Sequence, residues 1–163
     1  MSSVRDIIII AVILFAVGIS ATFAVKIGHE VNANLLTITA INSTETAVDV
    51  IEHTDTAINM TDYIYLAFFI GFFFSIVIFG WLVGGSPIFA PIYFFMVVIF
   101  TFIAVILQLV WNDISTNADV VSTVAALPIT DFILAHLGIF TAVLGLVGIV
   151  VMFAKGDSGG TTY

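Results

Sequence analysis

Four long runs without a single Asp, Glu, Lys or Arg set the terms on which this chain can fold: Ile7–Val25, Tyr63–Gly84, Ile88–Trp111 and Phe132–Ala154. Each matches the roughly 20 apolar residues that carry a helix across a bilayer. Inside hydrocarbon every backbone N–H and C=O must find a partner within the protein, so a spanning segment is a helix or part of a closed barrel. Barrel strands alternate apolar and polar residues, and these runs do not alternate. The expected fold is an all-α integral membrane protein with four transmembrane helices, forming one membrane domain over residues 1–163. Composition agrees: 61% of residues are hydrophobic and 9% charged, against about 25% charged in soluble domains. Lipid is the main solvent.

Local signals mark the limits of the runs. Ser3-Val4-Arg5-Asp6 reads as a capping box before the first span, and Thr130 or Asp131 as a cap for the fourth. The first span is expected to stay as an anchor rather than be cleaved as a signal peptide. Only Gly85-Ser86-Pro87 separates the second and third spans, which implies a tight antiparallel pair. Tyr63, Tyr65, Trp81, Tyr93 and Trp111 lie near span ends, where an interfacial aromatic belt belongs. With both termini inside, Arg5 and Lys155 are cytoplasmic and only Lys26 is outside, which follows the positive-inside tendency.

That topology puts the charge on one face. In residues 26–62, Lys26 stands against Glu30, Glu45, Asp49, Glu52, Asp55 and Asp62, a net −5; residues 112–131 add Asp113, Asp119 and Asp131. Arg5 offsets Asp6 and Lys155 offsets Asp157, so these two segments carry the whole formal charge of −8. Three basic residues exclude a phosphate-neutralising surface, and with it nucleic acid. In the first segment Ile27, Val31, Leu35, Ile38 and Ile41 form one helical stripe. After Asn42-Ser43-Thr44-Glu45, a second stripe follows at Val48, Ile51 and Ile58. The expectation is an acidic helical hairpin between the first two spans, on the order of 20 Å tall, its stripes packed on each other or on a neighbouring subunit. Residues 112–131 are expected to form a short segment leaning on that hairpin.

Candidate sites are few. With a turn near Asn42, His29 and Glu30 fall level with Glu52 and His53, with Asp55 beside them, a set able to hold a divalent ion; the competing account is a solvated polar face with an ion pair or two. His136 is the single histidine inside a span. A bis-histidine haem needs a second, and a proton path needs acids at depth, so a hydrogen bond across helices is expected of it. Gly138, Thr141, Gly145 and Gly148 place small residues along one face of the fourth span, where helix backbones can approach closely. Ala11 and Gly18 do the same on the first.

No Walker, zincin, Ser-His-Asp, Rossmann or kinase pattern is present, and no cofactor is expected. The absence of cysteine excludes thiolate chemistry. The spans read as uninterrupted and free of buried charge, unlike those of transporters. A non-enzymatic structural or scaffolding role is therefore expected, with the bilayer, other membrane or capsid-type proteins and further copies of the chain as partners. The acidic, Lys-poor exposed segments suit the membrane of a lipid-containing, haloarchaeal-type virion. An accessory subunit of a membrane complex and a holin-like pore former or small channel are the alternatives.

Overall fold

In the computed structural model, which describes residues 2–83 and 90–156, every regular element is helical. The order is α1 (Ser2–Thr37), α2 (Thr39–Asn42), α3 (Glu45–Asn59), α4 (Thr61–Val83), α5 (Ala90–Ser115), α6 (Val121–Ala125), α7 (Pro128–Ala135) and α8 (Leu137–Gly156). The Gly85-Ser86-Pro87 link, the side chains of Ser3 to Asp6 and the residues after Gly156 lie outside the described residues. Three stretches are long and apolar enough to cross a membrane, within α1, α3–α4 and α5; a fourth is counted if α7 and α8 together make one span.

Helix α1 is two-faced over its length. Ala11, Leu14, Gly18, Thr22, Val25 and Asn32, at steps of three, four and seven, are buried against the other helices. Ile9, Ile13, Val17, Ile27 and Val31 on the opposite side are exposed. The helix does not end with the apolar run at Val25 but continues to Thr37, and α3 returns beside it. There the Ile58 side chain fills the space that a Cβ on Gly28 would occupy.

Helix α8 runs antiparallel to α5 and parallel to α4. Gly138 faces Val105 and Gln108, Gly145 faces Val97, and Gly148 faces Tyr93 and Ile76, while Phe140 meets Phe69 edge-on with ring centroids 5.0 Å apart. Thr141, on the same helix, is buried. The four small residues thus point into the chain's own bundle. The outer surface is strongly apolar, with Phe68, Phe74, Phe95, Phe102, Leu109, Ile139 and Val150 all more than half exposed, the arrangement expected where lipid replaces water.

Three features depart from the sequence expectations. The fourth run is not one helix: α7 and α8 are bent by 69° at His136. The 112–131 segment packs on α1 and the main bundle rather than on α3. Helix α5 continues to Ser115, and Val120, Val124 and Ile133 then enter the main core with Leu14, Tyr65, Trp111 and Leu134, while Leu127 is also buried. Its apolar positions find more contact inside the bundle than beside α3, which is mostly exposed. Of the five belt aromatics, Tyr63 and Trp81 are exposed, whereas Tyr65, Trp111 and Tyr93 turn inward.

A side chain at Gly145 meets both methyl groups of Val97, whose β-branching leaves it little rotameric escape. Gly145→Leu is expected to lower stability in mild detergent by about 1–3 kcal/mol, read as a drop in melting temperature. Gly71→Leu, at a position where a Cβ has nothing within 4 Å, leaves the melting temperature in place.

Candidate functional site

Most of the buried polar contacts gather around the broken helix. At its start, Leu127 is the N-cap of α7 and offers no capping side chain, and Pro128 follows at the first helical position. Proline has no N–H, so the first orphan donor of the helix does not exist. The next two are met from α4: Asp62 Oδ2 accepts the Ile129 N–H at 2.9 Å and Oδ1 accepts the Thr130 N–H at 2.7 Å. The Thr130 hydroxyl donates to the same Oδ1 at 2.8 Å. Asp62 is 4% exposed and Thr130 fully buried. A carboxylate on a helix N-terminus also gains from the helix dipole, which helps to offset the loss of water around the charge.

The opposite end of α7 is closed by a histidine. His136 is the C-cap, with φ −121° and ψ 18°, and its Nδ1 lies 2.8 Å from the Phe132 carbonyl one turn back. A carbonyl only accepts, so Nδ1 carries the hydrogen. The ring rests on Phe132 at 4.6 Å between centroids. The bond expected across helices is therefore a local one, because the bend places the imidazole beside its own preceding turn.

Beyond the break, α8 begins with its own unpaired donors. Gln108 on α5 reaches over and its Oε1 accepts the Gly138 N–H at 3.1 Å. Next to it the Trp111 indole N–H donates to Asp131 Oδ1 at 2.9 Å. Asp131 thus acts as partner to a buried indole rather than as helix cap. Tyr65 completes the set by donating its hydroxyl to the Leu14 carbonyl of α1 at 3.0 Å. Gly18 makes room there: a Cβ on it would stand 2.7 Å from Leu134 Cδ1 and 3.1 Å from the Tyr65 oxygen.

The candidate metal ligands divide. His29 Nδ1 lies 2.6 Å from Asp55 Oδ1, with Asn32 Nδ2 at 3.5 Å from the same oxygen. The structure joins His29 to Asp55, not to Glu52 and His53, which are exposed on α3. Glu30 pairs instead with Lys26 at 3.6 Å, one turn away on its own helix. Among the described residues, no group of three or more His, Cys, Asp and Glu side chains is placed to hold a metal ion. The His29–Asp55 contact ties α1 to α3, and the Nε2 edge of the ring is buried without a hydrogen-bond partner.

Asp62, Gln108, Trp111 and Asp131 are the residues that composition and motif reading passed over as a set. Asp62 is counted there as surface charge, yet it is buried. Pro128 after Leu127 carried a usable signal for a helix start four residues before Phe132. Comparison with known protein families, with curated proteins and with solved structures finds no match.

Asp62→Ala leaves two N–H groups and a hydroxyl without their acceptor, and is expected to cost on the order of 3 kcal/mol or more. Asp62→Asn keeps an acceptor oxygen and costs less. Thermal unfolding in mild detergent checks the order wild type, Asn, Ala; an Ala variant as stable as wild type would contradict the bracing role of Asp62.

Proposed function

We propose that α1, α4, α5 and the bent α7–α8 pair each cross the bilayer. The chain then has four spans, both termini on the cytoplasmic side, and the α1–α3 extension outside. We further propose that it is a non-enzymatic structural component of a larger membrane assembly and acts through contacts. The observation that carries this is the use made of its buried polar groups. Asp62, Thr130, Trp111, Asp131, Gln108, Tyr65, Thr22 and Thr141 are each hydrogen-bonded within the chain, most of them to backbone groups.

A broken membrane helix is also a hallmark of transporters, in which half-helix ends point at a substrate or ion. Here the N-terminal end of α7 is occupied by the chain's own carboxylate and the first turn of α8 by its own amide. The space between α1, α4 and α8 is lined by residues such as Ile10, Leu14, Phe69, Ile76 and Leu137, with a void of about 10 Å³. Walls of that kind stay dry and do not favour ion passage. The assembly that best suits the acidic extramembrane segments is a lipid-containing virion of the haloarchaeal kind, with an accessory role in a cellular membrane complex as the second candidate.

Inducible expression is expected to leave the membrane potential intact, and rapid collapse would favour a pore and overturn the scaffold. In mild detergent the chain is expected to co-purify with a particle or a defined complex. A Glu45→Cys variant is expected to react with an impermeant thiol reagent added from outside; reaction only after lysis would invert the topology.

A further inference from the structure

The exposed side of α1 continues past the membrane. At about 1.5 Å per residue, 36 helical residues extend roughly 54 Å, well beyond the ~30 Å hydrocarbon core. Past Val25, where lipid contact should end, Ile27 and Val31 remain 58% and 49% exposed. Together with Asn34 they follow the 4-3 spacing of a heptad seam, which extends back along the helix through the exposed Ala24, Ser20, Val17 and Ile13. Helix α3 does not cover this seam. It packs on the other side of α1, at Gly28, His29 and Asn32.

We propose that this seam is the interface with a second copy of the same chain, the two α1 helices pairing in parallel as a coiled coil that starts in the membrane and ends above it. Three observations favour a copy over another occupant. Two chains inserted in the same sense present the stripe at the same height and in the same direction, so the bilayer has already fixed the register. The one polar seam residue in the extramembrane part, Asn34, is self-complementary: an amide both donates and accepts, and meets its own counterpart at that height, the device that sets register in coiled coils. Finally, although the chain carries −8 overall, the seam does not repel its copy. The one acid on this part of α1, Glu30, is paired with Lys26 at 3.6 Å, and the seam positions are uncharged.

The pairing rests on α1 being a membrane span but not on the scaffolding role. Because the chain has no cysteine, single-cysteine variants give a clean test in carbonate-washed native membranes. Ile27→Cys and Val31→Cys are expected to form a disulfide-linked species of twice the chain mass on mild oxidation. Ala33→Cys on the flank of α1 and Thr54→Cys on α3, both exposed, remain monomeric. Val31→Asp placed in the Ile27→Cys background is expected to abolish the product while the chain stays in the membrane fraction. Equal crosslinking at seam and control positions overturns the interface, as does none at the seam or a product of any other mass. Release of the chain by carbonate would overturn the span itself, and is read separately from the crosslink.

Discussion

A buried backbone N–H with no partner costs about 1–3 kcal/mol, and such groups arise at the start of α7 and again where α8 begins after the bend at His136. The rest of the bundle is arranged around meeting them. Pro128 removes one donor, Asp62 takes two, and Gln108 takes one at Gly138. Those acceptors come from α4 and α5, so satisfying the broken helix also fixes it against both neighbours. Without them the fourth run would do better as one straight helix, with every bond internal to itself.

Bending the run allows α7 to fill the space between α1, α4 and α5. Leu134 sits in the gap that Gly18 leaves and touches the region of Tyr65, while Thr130, Ile133 and Leu127 are almost fully buried. Trp111, which would otherwise stand at the membrane surface, is drawn into this core and its indole N–H is met by Asp131. Below the break the packing is of another kind. Gly138, Gly145 and Gly148 let α8 lie close on α5 and α4, where dispersion between close backbones holds helices that gain nothing from hydrophobic burial in lipid.

The helical class, the approximate limits of α1, α4 and α5 and the small-residue face of α8 are legible in the sequence, because lipid exposure and helix contact both act through local composition. The break is not. Phe132–Ala154 is as apolar as the other runs, and Gly138, two residues past His136, is only one of three glycines in it; the acceptors that brace the two halves, Asp62 and Gln108, lie 68 and 30 residues away in the chain. The inward turn of Tyr65, Tyr93 and Trp111 is hidden for a related reason, since a position near a span end fits an interfacial ring and a buried one equally well. In the α1–α3 pair, helical spacing identifies the stripes but not their faces. Ile58 packs on Gly28, while Ile27 and Val31, expected either to share that contact or to meet a neighbouring subunit, face away from α3. The apolar residues of α1 left uncovered outside the membrane are the reason a second copy enters the account.

The buried Asp62, the part-buried Asp131 and the amide of Gln108 hold helices together, while the described surface carries an apolar girdle, exposed acids on α3 and an uncovered stripe on α1. The claim on which all of this depends is that α7 is folded into the bundle and held there. The two tryptophans report on it directly, because Trp111 is buried and bonded to Asp131 while Trp81 is exposed on α4. Hydrogen exchange of the two indole N–H groups, followed by NMR in lipid nanodiscs, should show Trp111 strongly protected long after Trp81 has exchanged, with that protection lost in Asp131→Ala. Indoles that exchange together, or a Trp111 signal indifferent to Asp131, would contradict it.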